Sequence, residues 1–448
     1  MKGDTPCLSA VKEYRGENNN LRTLDREIII NHIKTYNPCI SHYRRHNAPN
    51  ILYLPRELTV KMMHDDFCSK NGKLICQELY RNVLKSMNIS LKKPNSDMCE
   101  DCCMLKNQIE NLENANKIEV IKIKLEEHKL KAYQAHKMYK EDATIDISGT
   151  SIIVYSMDLQ KVLLLPILPE SKTSFFTSRL VVFNETFATL KPNSKGYCVL
   201  WHEAIASRKG ENITDAILAL IKEERDVTDF IFWADNCTGL NKNWILFTAL
   251  VCILNTTHNT VESITIKYLT KGHTHMSADG IHGNIEKKIR KVRNVYDYDD
   301  LKQTIRESRQ NLGIIDQKNF FQWTSKKRTT NILLDPIKNF KLQNVVLVKF
   351  IKDSSKMLYS TNFDDKELKE MDFLQKKFIR GIITYKPKQI DQPRGVCVNK
   401  KNDIISKLLP LMPKSRENFW ISLPVSVTST DLVVNIGLTD EFLDECVI

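Results

Sequence analysis

The order of periodic segments between residues 151 and 293 constrains this chain more than any other feature. SIIVYSMDL at 151–159 is a β-branched and aromatic run that predicts a strand. RLVVF at 179–183 and GYCVLW at 196–201 predict two more, each after a polar turn. NITDAILALIKEE at 212–224 predicts a helix capped by Asn212 or Thr214, with Ile217, Leu218 and Ile221 along one side. DFIFWAD at 229–235 stays apolar until Asp235, the pattern of a strand buried on both faces. A helix is expected over Trp244–Leu254 and a fifth strand over ESITIKYL at 262–269. The last helix is expected from an N-cap at Ser277, with Ile281, Ile285 and Val292 on one side and Asp279, His282 and Glu286 on another.

The order βββαβαβα implies an α/β core of ribonuclease H-like type, a mixed sheet flanked by helices. Ligands of such sheets gather at the C-terminal ends of strands. Asp158 lies near the end of the first predicted strand, Asp235 ends the fourth, and Asp279 or Glu286 lies on the last helix. Each acid alone has an ordinary use, ending a strand, opening a turn or complementing a helix dipole. Together they form the oxygen-rich set that two Mg²⁺ or Mn²⁺ ions, roughly 4 Å apart, need for phosphodiester chemistry. The loop after Asp235 adds Asn236, Asn241, Lys242 and Asn243, and His273, His275 and His282 surround the start of the last helix.

MDLQ, WADNCTGLNKNW and KGHTHMSADGIHGNIEK resemble segments of a family of uncharacterised, transposon-derived eukaryotic proteins with a DDE-type, ribonuclease H-like domain. SHYRRHNAPNILYLPRELT, KKPNSDMCEDC and ISKLLPLMPKSRENFWISLP are similar to its flanking regions, so the likeness spans most of the chain. The resemblance implies an acidic triad at Asp158, Asp235 and Asp279, with Glu286 a second candidate for the third acid. It also implies DNA cleavage or strand transfer, or else a domesticated, inactive descendant that binds DNA or assembles. Leu240 departs from the Gln that the resemblance leads one to expect before Asn-Lys-Asn.

Gly272-His273-Thr274-His275 also matches a metal-binding box of calcineurin-like metallophosphoesterases. The early Asp-x-His and the later Gly-Asn-His that those enzymes require are missing.

Charge agrees with a nucleic-acid partner: 66 Lys and Arg against 54 Asp and Glu leave a net +12. Lys287, Lys288, Arg290, Lys291 and Arg293 continue the helix that carries Asp279. They suit phosphate, and equally suit a solvated helix end whose dipole favours cations. No apolar run reaches membrane-spanning length and no secretory core opens the chain, so an intracellular, nuclear protein is expected. Scattered cysteines point to reduced thiols.

Cys99-x-x-Cys102 has the spacing of a metal knuckle. Met98, Cys102, Leu105, Ile109 and Leu112 form a heptad seam, and Ile118, Ile121, Leu125, His128, Ala132, Ala135 and Tyr139 form another. A reversal near Asn114 would bring His128 beside Cys102, giving zinc three ligands in Cys99, Cys102 and His128. Cys103, Cys76, Cys39 and His42 are open candidates for a fourth. Plain hairpin packing or a long dimerising helix would explain the seams as well.

Residues 1–30 read as loose and 31–96 as mainly helical, punctuated by Pro55 and Pro94, with a DNA-recognition or assembly role. Residues 97–142 carry the knuckle, and 150–295 the α/β core. Residues 300–448 read as mixed α+β, with strands at 344–351 and 378–385, a Pro-interrupted helix at DIISKLLPLM, and Trp323 and Trp420 in the core.

Overall fold

The computed structural model describes residues 18–36, 38–40, 52–54, 58–72, 75–90, 99–112, 114–145, 151–191, 195–256, 260–323 and 340–426. The expectations for His42, Pro55, Pro94, Met98 and the Cys39 side chain lie outside them. Backbone proximity divides the chain into two units, 1–107 and 108–448. No described helix is long and apolar enough to cross a membrane.

In the first unit, helices α1 (Asn18–Lys34), α2 (Val60–Asn71) and α3 (Gln77–Ser86) bury Ile29, Ile33, Met63, Phe67, Tyr80, Val83 and Leu84 together. Helix α1 begins inside the stretch expected to be loose. Thr59 caps α2 by accepting from Met62 N, and Gly72 ends it at φ 63°, in the left-handed region that glycine enters without steric cost. His32 bonds Tyr80 Oη at 2.8 Å and Asp66 Oδ2 at 3.1 Å across this core. Helix α4 (Glu100–Asn111) is followed in the chain by α5 (Ala115–Ala143), which the Asn114 side chain caps by accepting from Asn116 N and Lys117 N.

The second unit is built on a mixed sheet of β1 (Ile152–Leu159), β2 (Leu163–Leu165), β3 (Leu180–Thr189), β4 (Gly196–His202), β5 (Asp229–Ala234), β6 (Ser263–Tyr268), β7 (Leu312–Asp316), β8 (Leu347–Ile351), β9 (Met357–Ser360) and β10 (Lys369–Met371). The order is β7-β4-β3-β1-β5-β6-β8-β9-β10, with β2 on β3. β1, β5 and β6 are parallel neighbours, as are β4 and β7, while β3 runs antiparallel to β1 and β4. The chain is thus a mixed α/β protein with helices on both faces of its sheet.

Alternation decides what each face meets. Phe183, Phe187, Val199, Phe230 and Phe232 join the core of helices α7 (Gly210–Glu223) and α8 (Trp244–Leu254). Val182, Cys198 and Leu200 join α9 (Ser277–Val292) and α10 (Tyr298–Arg306) on the other face. The end of α5 also packs on the sheet, where Ala135, Met138 and Tyr139 meet Trp233 and Leu269. Ala135 and Tyr139 of the second heptad seam are therefore spent on this sheet. Asp142 fixes α5 there, ion-paired with Lys267 at 2.7 Å and accepting from Trp233 Nε1 at 2.8 Å, all buried. Asp142→Ala should cost about 3–5 kcal/mol, because it strands a buried ammonium; urea unfolding measures it.

Several expectations need correction. RLVVF continues to Thr189, since β3 is buried at every position and pairs with both β1 and β4. Helix α7 starts at Gly210 with Lys209 as its N-cap, and Asn212 reaches back to Lys209 N at 3.1 Å. Residues 378–385 form no strand: they contain the end of a short helix α11 (Lys376–Ile379) and a 3₁₀ turn at Ile382–Thr384. Local bonds such as Ile379 N to Gln375 O and Gly381 N to Phe378 O satisfy this backbone, while Phe378, Ile379 and Ile382 pack on one core. The segment at Leu347–Ile351 is a strand as expected, and Trp323 and Trp420 are buried. DIISKLLPLM is a π turn at Ile404–Leu408 followed by a 3₁₀ turn containing Pro410, after α12 (Val398–Asp403).

His202 ends β4 against the rings of Tyr298 and Phe419, with no partner for its buried Nδ1 among the described residues. Burial pushes its pKa down to about 4 from 6.5. A depressed histidine keeps its full stability above the unfolded value and loses it as pH falls from 6.5 toward 4. His202→Gln should remove on the order of 3 kcal/mol of that acid sensitivity, read from unfolding midpoints at pH 7 and pH 4.5.

Candidate metal centre

Strand register sets the first pair of acids. Ser156 of β1 lies opposite Trp233 of β5, so two residues later Asp158 comes level with Asp235, just past the end of β5. The sequence between β6 and α9 delivers the third. Ala278 N donates to Ser156 Oγ at 3.0 Å and Ser277 N to Tyr139 Oη at 2.9 Å, pinning the first turn of α9 across β1. As a result, ligand atoms of Asp158, Asp279 and His282 all lie within 4.8 Å of one another. His282 Nδ1 is 3.7 Å from Asp158 Oδ2.

Asp279 has two uses. Its Oδ2 accepts from Met276 N at 2.8 Å and lies 3.2 Å from His275 Nδ1. Met276, and not Ser277, is thus the N-cap of α9, because the carboxylate three residues on satisfies its N–H. Asp235 stands outside the group of three. Its Oδ1 accepts from Asn241 Nδ2 at 2.6 Å and Cys237 N at 3.4 Å. Asn243 caps α8 by accepting from Leu246 N, and its own Nδ2 donates to Leu240 O. Lys242 is buried, donating to Asn236 Oδ1 and Val345 O over the Tyr268 ring. The loop residues therefore hold the shape around Asp235, and Leu240 anchors it by packing on the apolar core.

Crowded, buried carboxylates set the electrostatics. Burial, then the charges of Asp235 and Asp279, hold Asp158 well above the usual carboxylate range. Burial also raises Asp235, against the bonds from Asn241 and Cys237. Burial works against Asp279 as well, but His275 and the Met276 N–H hold it below its ordinary value. Burial pushes His282 down to about 4, and its Nε2 has no partner. Burial pushes Lys242 down to about 7 against the pull of Asp235.

A fourth acid escaped the sequence reading. Glu185 is fully buried on β3, neither oxygen has a hydrogen-bond partner among the described residues, and burial followed by Asp158 and Asp235 holds it well above the usual range. It lies just past Phe183, where the predicted strand stopped, and the only signal was a charge inside a longer alternating run. So much negative charge in one place suits a cation. Carboxylate oxygens with one neutral imidazole fit a hard or borderline divalent ion such as Mg²⁺ or Mn²⁺.

Glu286 is apart from this group, exposed and 3.2 Å from Arg290. The basic run is partly paired: Lys288 with Glu307 at 2.8 Å and Arg293 with Glu170 at 3.5 Å, while Lys287 and Lys291 are exposed. Cys99 and Cys102 lie in the first unit, and in the second the rings of His128 and His273 are 5.1 Å apart. The two histidines of the Gly-His-Thr-His box thus have different neighbours, His128 for His273 and Asp279 for His275.

No curated protein and no solved structure matches the chain. Residues 205–362, which include Asp235, Asp279 and His282, match the family described as a domain of unknown function (DUF7869).

Proposed function

We propose that this chain is a transposase-like DNA-processing protein with a ribonuclease H-like core. It would cleave or join phosphodiesters with divalent ions held by Asp158, Asp235 and Asp279. The observation that carries this reading is the meeting of Asp158, Asp279 and His282 at the end of β1 that also borders Asp235. The order β4-β3-β1-β5-β6, with β3 antiparallel, supports it, because this is the arrangement a ribonuclease H-like sheet requires.

Bound divalent ions would supply Lewis-acid activation of the phosphodiester. The chain's own part is positional. Asp158, Asp279 and His282 offer ligand atoms, Asn241 orients the Asp235 carboxylate, and the exposed cations of α9 hold phosphates near the acids. Nuclear residence and a DNA partner follow from this reading.

The functional test is Mn²⁺-dependent nicking of supercoiled plasmid by the wild type beside Asp235→Asn. Nicking lost in the variant supports the assignment. A variant as active as the wild type overturns it, and Mn²⁺ binding without nicking on plasmid or on any DNA with free ends supports the inactive DNA-binding descendant.

A further inference from the structure

Two of the most exposed large apolar side chains described in this chain are neighbours. Phe175 and Phe176 are 78% and 82% exposed, with their rings edge to face at 5.0 Å. They end the short helix α6 (Lys172–Phe176), whose backbone is firmly held. Ser171 accepts from Ser174 N at 3.1 Å, Thr177 Oγ1 donates to Thr173 O at 2.7 Å, and Ser174 and Thr177 are buried. Sequence reading passed over this pair, which lies in the turn before β3.

The surroundings of this pair are cationic. Ile167 N donates to Val295 O at 2.8 Å and Val295 N to Ile167 O at 3.1 Å, joining the segment before α6 to the chain just after α9. Arg293 reaches Glu170 at 3.5 Å across the same join, in a pair that is exposed on both sides. Helix α9 packs along β3 and carries Lys287, Arg290 and Lys291 on exposed positions, and Lys172 is exposed on α6 itself. Helix α6 also packs against the turn at Ile404–Leu408, where Lys407 pairs with Asp403 at 2.7 Å. Glu170, Glu286 and Asp403 are each in an exposed ion pair worth little in water. From Asp279 to Arg293 the helix covers about 20 Å at 1.5 Å per residue. That is roughly six nucleotides of one strand at 3.4 Å each.

We propose that Phe175 and Phe176 are a stacking platform for unpaired bases of a nucleic-acid strand whose phosphates run along the cations of α9 toward the acids. Exposed aromatic faces beside a cationic track are what binding of single strands requires, because every base offers a π-face and every linkage a charge. A protein partner would be served by the rings but not by the cations. The inference rests on the proposed DNA-processing function and deepens it, assigning the single-stranded part of the substrate to α6.

The test is fluorescence anisotropy of the full chain with a labelled duplex bearing a 3′ overhang of eight thymidines, and with the same duplex blunt. Asp158→Asn is used throughout so that no DNA is cut. Adding Phe175→Ala and Phe176→Ala should weaken the overhang by about 10- to 100-fold and leave the blunt duplex within about twofold. Equal affinity for the overhang with and without the phenylalanines overturns the platform, as does equal loss on both DNAs. Concentration-dependent self-association that disappears with the two phenylalanines would also overturn it, giving that face to a second copy. The proposed catalysis fails separately: the Asp235→Asn chain would then nick plasmid like the wild type, whatever the overhang result.

Discussion

Asp158→Asn is expected to abolish Mn²⁺-dependent nicking, by at least about 10³-fold, while making the metal-free protein more stable. Both effects have one cause. Asp158 is buried beside Asp235 and Asp279, and its pKa is raised by burial first and by those charges second. A carboxylate with a raised folded pKa costs stability once pH exceeds its unfolded value, and the cost shrinks as pH falls through the folded value. The amide removes that charge, so the metal-free variant should melt about 2–4 °C higher at pH 7, a gain of order 1 kcal/mol. The gain should shrink as pH falls through the folded value and vanish toward pH 4, where the carboxyl of the unfolded chain takes up its proton as well. Loss of a charged ligand removes several kcal/mol of charge stabilisation, and 1.36 kcal/mol is tenfold in rate. Nicking rates with Mn²⁺ and thermal melts with EDTA read the two halves. A variant that nicks normally and melts lower would show that Asp158 merely supports the strand.

Lys400→Met is expected to lower the unfolding free energy by about 3–5 kcal/mol. Lys400 Nζ lies 2.7 Å from Glu203 Oε1, and both side chains are almost completely buried. Glu203 Oε1 also accepts from Val181 N at 2.9 Å, which ties the pair to the start of β3. Arg394 remains 3.6 Å away from the other oxygen, so the variant leaves a buried carboxylate with one poorly placed cation. The same segment bonds the sheet edge through Arg394 N to Ile205 O and Gly395 N to Ala204 O. Lys400→Met with Glu203→Leu should recover much of the loss, because the charge that needed a partner is gone. Urea unfolding of the two variants decides it. A double variant as unstable as the single one would mean that packing around α12, and not the stranded carboxylate, sets the cost.

Residues from Ser151 to Val292 declared most of their structure because both periodicities are local. An apolar run ending in an acid, as in DFIFWAD, reads as a buried strand whichever neighbours it pairs with. The Asn of NKNW caps α8 by a bond three residues long. By contrast 378–385 misled: its aromatic and β-branched content suited a strand, but the turns within it satisfied the backbone locally.

The sequence by itself determined which segments are strands and helices in the central domain, and placed Asp158 and Asp235 at strand ends and Asp279 on a helix. Tertiary packing alone set Asp279 and His282 beside Asp158, left Glu286 apart, and buried Glu185 nearby with no hydrogen-bond partner among the described residues. It alone formed the Lys400 and Glu203 pair, whose members lie almost two hundred residues apart. The physical reason is that hydrophobic periodicity and capping act over a few residues and are written in consecutive letters. Ligand sets and buried ion pairs depend on strand order, register and crossing, which are set by how whole elements pack and leave no local trace.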